Sequence, residues 1–180
     1  MDKMKKCLYL LVISVVLIIF MFPASGVAES PEKPLQLSLF PPLQIHNQET
    51  SIRGLRLSLY GFNQDLKGLD IGLINRLGGD MNAVQLGIVN YVNGNAKGLQ
   101  AAFYNQAHDF SGVQVGVANT AQKTHGLQIG IVNSAVDMDG LQIGLLYNST
   151  DTLRGIQIGL LNFIWERKPV FFFPIINAAF

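Results

Sequence analysis

The chain has 180 residues, a formal net charge of +1 at pH 7 and one cysteine, Cys7. This length suits a single domain, and one cysteine leaves no disulfide framework and no cysteine metal site. A near-neutral chain without basic clusters is not expected to bind nucleic acid or anionic lipid.

The N-terminal segment has the order of a secretory signal peptide. Three lysines within the first six residues precede an apolar run over 7–22, and small residues follow up to Ala28. This order predicts a signal peptide over 1–28 that is cleaved after Ala28. An uncleaved membrane anchor is the alternative, but the run is shorter than the ~20 residues of a spanning helix and is ended by Pro23. Residues 29–180 would then form one exported domain.

That domain is built from a short repeat, of which GLQIGIVN at 126–133 is a clear copy. We number the first position of each unit as offset zero. Units begin 14 or 15 residues apart, at Gly54, Gly68, Ala83, Gly98, Gly112, Gly126, Gly140 and Gly155. These repeats cover residues 54–169. Two weaker copies flank them, a degenerate first unit at 34–42 and a C-terminal cap unit at 170–180, and a loop at 43–53 separates the first unit from the repeats. The sequence therefore predicts about ten units.

Each unit follows one pattern. Offsets one, three and five are apolar and offset four is small. Offset two is glutamine in six units: Gln85, Gln100, Gln114, Gln128, Gln142 and Gln157. Offset seven is asparagine in six: Asn75, Asn90, Asn105, Asn119, Asn133 and Asn162. Apolar residues at every second position indicate β-strands with one buried face.

These features predict an all-β protein, a β-solenoid of about ten coils with 14–15 residues each. We expect the apolar offsets to point inward, the glutamines to form an outward column, and the asparagines to form a structural turn ladder. Small Ala101 beside large Phe103 would then be volume compensation within a packed interior.

The alternative is a small ten-stranded outer-membrane β-barrel, which an export signal and the C-terminal Phe180 also suit. Three features favour the solenoid. Odd and even units look alike, whereas hairpins would alternate. A fixed asparagine suits a stacked ladder. Finally, the prolines after the signal lie in or beside the first and last units, where an open stack needs blunted edges.

Candidate catalytic and metal sites are not found, and no cofactor is predicted. His46, His108 and His125 have no metal-ligand spacing. Trp165 with the phenylalanines at 171–173 is interpreted as a hydrophobic cap. The glutamine column is interpreted first as structural; the functional alternative is a flat polar strip that binds a polysaccharide or a host surface.

The repeat GLQIGLxNxA and the closing FFPIIN resemble a family of tandem surface-repeat proteins exported by spirochaetes and other Gram-negative-type bacteria. The resemblance covers residues 35–180. It implies a protein at the cell surface or associated with the outer membrane, and it brings no catalytic residues or ligand. We therefore expect a non-enzymatic surface protein with a structural or adhesive role, with end-to-end self-association as one mode of assembly; the alternative function is a small outer-membrane pore.

Overall fold

The computed structural model describes residues 32–180. The predicted signal peptide lies outside the described residues. Eight strands follow one another: β1 Glu32–Phe40, β2 Leu43–Gln44, β3 Ser51–Asn63, β4 Leu66–Leu77, β5 Met81–Leu86, β6 Val89–Thr150, β7 Thr152–Ile164 and β8 Phe172–Ala179. No helix occurs among them, and the described residues contain no helical segment capable of crossing a membrane.

Successive coils pair in parallel, one repeat above the next. Gly54 lies opposite Gly68, and Leu55 opposite Leu69, and the same offsets meet again between β6 and β7. Strand β6 is one continuous 62-residue path that winds through several coils. The described chain is thus an all-β solenoid of about nine turns, which confirms the solenoid prediction. The antiparallel ten-stranded alternative is wrong.

The two ends of the stack differ from the coils between them. The degenerate first unit is a true coil, since Leu35 pairs in parallel with Leu55. The segment predicted as a loop at 43–53 contains β2, which folds back antiparallel on β1. The sequence predicted a tenth coil at the other end. Strand β8 instead pairs antiparallel with β7, so it is not a coil of the parallel stack. Its Asn-containing pattern imitates a unit, but the chain reverses direction before it.

The side chains face the opposite way from the prediction. Every glutamine at offset two is fully buried, with 0% exposure, while the large apolar residues at offsets one, three and five lie on the outer surface. Strict alternation fixes which residues share a side, but it does not fix which side is inward. Ala101 and Phe103 accordingly lie on the outside, where they fill no interior.

The apolar core comes from the second half of each coil. Its side chains stand two positions after the asparagine or two positions before offset zero of the next unit. They include Ile52, Leu66, Leu77, Met81, Val92, Ala96, Ala107, Phe110, Ala135 and Met138. Most coils therefore enclose amides from one wall and hydrocarbon from the other.

The glycines at offset zero let neighbouring coils approach closely. Gly126 has a φ of 135°, in the region that L side chains rarely adopt, and a Cβ there would lie 2.2 Å from the carbonyl oxygen of Gly112. The glycines at offset four serve the interior instead. A Cβ on Gly130 would lie 2.8 Å from Nδ2 of Asn119 and 2.9 Å from Oδ1 of Asn133, so this glycine leaves the space that the asparagines occupy.

Replacing Gly126 by alanine is expected to lower the free energy of unfolding by about 2 kcal/mol or more, because the methyl group meets both the strained φ and the Gly112 carbonyl. Chemical denaturation followed by circular dichroism measures this. The control is Ala83→Gly, since Ala83 occupies the same offset without a positive φ; it should change stability by less than about 1 kcal/mol. Equal effects of the two substitutions would contradict this account.

Candidate functional site

The buried glutamines form one continuous chain of hydrogen bonds along the solenoid axis. Nε2 of Gln128 donates to Oε1 of Gln114 over 2.8 Å, and Nε2 of Gln142 donates to Oε1 of Gln128 over the same distance. The series runs from Gln157 down to Gln85 with donor–acceptor distances of 2.8–2.9 Å. We call this series the glutamine ladder; every donor in it points toward the N-terminal end.

The glutamine ladder ends on a carboxylate. Nε2 of Gln85 donates to Oδ2 of Asp70, which stands at offset two of its own coil. An ionised carboxylate can only accept hydrogen bonds. Asp70 therefore requires the Gln85 amide to present its NH2 group, and each following amide must adopt the same orientation. One aspartate fixes the polarity of the whole ladder.

Arg56 holds that aspartate from the coil below. Its Nε lies 2.7 Å from Oδ1 of Asp70 and its Nη2 lies 2.6 Å from Oδ2, a bidentate pair between two side chains with no exposed surface. Nη1 donates to the backbone carbonyl of Arg76. Buried ion pairs need this kind of complete hydrogen bonding to offset the loss of hydration.

Sequence analysis missed this ion pair, although a signal was present. Arg56 and Asp70 occupy the glutamine position in adjacent units, with opposite charges. Because parallel stacking places equal offsets over one another, that substitution pattern predicts a stacked pair once the solenoid is accepted.

The predicted asparagine ladder is present. Nδ2 of Asn119 donates to Oδ1 of Asn133 over 2.8 Å, and the same bond links every coil from Asn75 to Asn162, with Asn148 in the unit where the motif slips. The second Nδ2 hydrogen reaches a strand carbonyl of the next coil, such as that of Ile129. Here every donor points toward the C-terminal end, opposite to the glutamine ladder, so the amide dipoles of the two ladders oppose each other.

The glutamines cannot serve as an external binding strip. They are fully buried, and their amides bond to one another. The outward column predicted at Gln85, Gln100, Gln114, Gln128, Gln142 and Gln157 is therefore wrong, and their structural role is what the geometry supports. An amide whose nitrogen and oxygen both have a partner along the stack carries a much smaller penalty for burial than an unpaired one.

The outer surface opposite the glutamines is an apolar sheet face. We define the apolar face as offsets one, three and five of the nine coils, where no polar or charged residue occurs. Its exposed side chains include Leu35, Leu37, Leu39, Leu57, Leu59, Leu69, Ile71, Leu73, Val84, Ile88, Phe103, Val115, Val117, Leu145, Ile158 and Leu160. Soluble monomeric proteins rarely expose a contiguous apolar surface that extends over so many strands.

The other side of the solenoid is polar. An open groove of about 650 Å³ is lined by carboxylates and amines, among them Asp65, Asp80, Asp109, Lys67 and Lys97. The described residues contain no group of three metal-ligating side chains. The solenoid thus has two chemically different faces.

The three histidines lie at separate places on the solenoid. His108 is exposed on the polar side. His125 is also exposed and its Nδ1 lies 3.6 Å from Oδ2 of Asp139. His46 pairs through its backbone with the side chain of Gln36 at the N-terminal end. They form no common site.

An aromatic cluster that includes Trp165 and Phe171 lies at the C-terminal end of the solenoid. Phe163 stacks with Trp165 at a centroid distance of 5.1 Å, and Trp165 stacks with Phe171 at 5.6 Å. Trp165 also donates from Nε1 to Oγ of Ser149. These rings stack on one another at the last coil, and the antiparallel strand β8 pairs with β7 there.

Comparison of the chain with known protein families, curated proteins and solved structures gives no match. The resemblance to tandem surface-repeat proteins therefore stays a prediction.

Replacing Gln128 by alanine is expected to destabilise the solenoid by about 2–4 kcal/mol, because Oε1 of Gln114 and Nε2 of Gln142 lose a buried partner. Thermal unfolding measured by circular dichroism tests this. Gln122→Ala is the matched control, since Gln122 is exposed, and it should have no measurable effect. A mild loss at Gln128 equal to that at Gln122 would contradict a stabilising ladder.

Replacing Asp70 by glutamine is expected to cost about 3–5 kcal/mol, because Arg56 is left as an uncompensated buried charge. The double variant Arg56→Gln with Asp70→Gln extends the glutamine ladder by two amides and should recover most of that loss. Denaturation midpoints of wild type, both single variants and the double variant complete the cycle. Additive losses would show that the positions do not act as a pair.

Proposed function

We propose that this protein is an exported, non-enzymatic structural protein of the bacterial cell surface, which takes part in an assembly through its apolar face. The observation that carries the proposal is the outward position of the aliphatic columns. They lie on a parallel sheet, and parallel sheets in proteins usually have both faces covered.

The magnitude of the exposed surface supports a covered face. Three exposed columns over nine coils, at ~3.3 Å per residue and ~4.8 Å between strands, occupy about 600 Å² in projection. This projection alone reaches the upper end of the ~300–600 Å² that the largest apolar patch on an ordinary monomer covers, and the protruding side chains add to it. Burial stabilises at about 25 cal/mol for each Å² of apolar surface, so leaving this face in water is costly.

A structural role also suits the use of the polar side chains. The buried amides are engaged in the two ladders, and the buried charges of Arg56 and Asp70 neutralise each other. Groups that are committed to such bonds are not available as general acids, bases or nucleophiles. The polar groups inside the coils therefore support the fold.

Two sequence features support the location. The segment at 1–28 has the order of a signal peptide, and the repeat resembles exported surface-repeat proteins. The earlier alternative, a small pore, required antiparallel spanning strands. The coils are parallel and their interior is filled by side chains, so we do not propose it.

Expression of the full chain in a diderm bacterium tests the location. We expect the mature protein to begin at Glu29 and to be recovered with the cell envelope. We also expect that protease added to intact cells degrades it. Mass determination of the purified protein and protease shaving measure these outcomes. A variant with Leu11 and Val15 replaced by lysine should stay unprocessed inside the cell. Cytoplasmic recovery of an unprocessed wild type would overturn the proposal.

A further inference from the structure

We infer that the apolar face is covered by a second copy of this chain, packed face to face about a twofold axis that runs parallel to the solenoid axis over the glycines at offset four. The inference rests on the proposed role of the apolar face and names its occupant. Polar faces would then point outward on both sides of the dimer.

The size of the face suits a dimer. Stable protein interfaces bury about 800 Å² of accessible surface on each partner, and side chains that protrude from a sheet expose more area than the ~600 Å² projection. Two sheets pack about 10 Å apart with their side chains interdigitated. The proposed axis pairs the columns at offsets three and five, and thirteen large side chains in these two columns are 37–69% exposed. Their protruding surface supplies the apolar area for a face-to-face contact.

The shape of the central coil points to a copy of the same surface. The unit at Gly98 is the fifth of the nine coils, and in this unit Phe103 at offset five protrudes with 67% exposure beside the small Ala101 at offset three. In a twofold interface, residue i meets residue j and j meets i. An axis over offset four brings each Phe103 onto the Ala101 of the partner copy, so the protrusion of one copy fills the gap of the other.

The same axis pairs offset three with offset five in every coil. Ile71 would face Leu73, and Val115 would face Val117, across the interface, which gives aliphatic contacts along the whole stack. A fluid lipid surface needs no such matching of large and small residues. The compensation between Ala101 and Phe103 therefore favours a close-packed protein partner, as interiors and interfaces require.

The backbone permits this contact. Hydrogen bonds of the coils run along the solenoid axis, parallel to the face, so no unpaired backbone group points into the proposed interface. The open edges of the sheet lie at the two ends, where prolines and the antiparallel strands β2 and β8 follow. Lateral packing of faces is thus the mode of self-association that the surface supports, in place of end-to-end growth.

Sedimentation velocity on the purified exported protein tests the inference. We expect a dimer, and we expect Val117→Glu to raise the dissociation constant at least about 100-fold, because each interface would bury two carboxylates. The control is Val136→Glu on the polar side. The two valines have 41% and 47% exposure, so the control changes the same residue type at similar exposure and should leave the dimer intact.

A second pair of variants tests the twofold matching itself. Ala101→Phe alone places two large rings against each other and should weaken the dimer at least about tenfold. Combining Ala101→Phe with Phe103→Ala exchanges protrusion and gap, and it should restore association. Circular dichroism of each variant confirms that the coils are folded. A double variant as weak as the single one would overturn the proposed axis.

The experiments distinguish a failure of the dimer inference from a failure of the proposed role of the apolar face. A monomeric wild type that floats with phosphatidylglycerol vesicles would assign the face to lipid and overturn the dimer. A monomeric wild type whose envelope association is lost in Val117→Glu but kept in Val136→Glu would also overturn the dimer, while the proposed role of the face stands. A monomer whose envelope association is unchanged by Val117→Glu would overturn both.

Discussion

The hydrogen bond between an amide and the same amide one coil away is the interaction on which this structure depends. It requires coils to stack at the strand spacing and in exact offset, since a slip of one residue would leave each buried amide without a partner. One such bond contributes about 1 kcal/mol, but leaving its groups unpaired costs more. Register is therefore enforced along both amide ladders, from the coil that begins at Ala83 to the coil that begins at Gly155.

The outward position of the apolar residues follows from this constraint. Residues alternate along a strand, so placing Gln128 inside places Leu127 and Ile129 outside. The coil interior has room for the amides because Gly130 has no side chain. Hydrocarbon for the core comes from the opposite wall, where Ala135 and Met138 are buried. The fold thus combines a partly polar interior with an apolar outer face, and that face is the basis of its proposed role.

The repeat spacing was enough to predict the solenoid, the parallel stacking of equal offsets and the asparagine ladder. It was not enough to orient the strands. Hydrophobicity placed Leu127 inside and Gln128 outside, and this was wrong because amides stacked at regular spacing satisfy each other without water. The second half of each unit held the information that was needed. Apolar residues recur there at the positions of Ala107 and Phe110, and this recurrence indicates a second row of inward-facing side chains. Similarly, local pattern could not show that the chain reverses before β8.

The polarity of the glutamine ladder has a consequence for the order in which the chain can wind. Arg56 and Asp70 are synthesised before Gln85. The carboxylate of Asp70 is therefore present as an acceptor when the coil that contains Gln85 forms. Every later glutamine donates backward to a residue that has already emerged. The solenoid can therefore be templated from its N-terminal end, each finished coil orienting the next. A chain that crosses a membrane with its N-terminus first would expose each acceptor, beginning with Asp70, before the glutamine that donates to it.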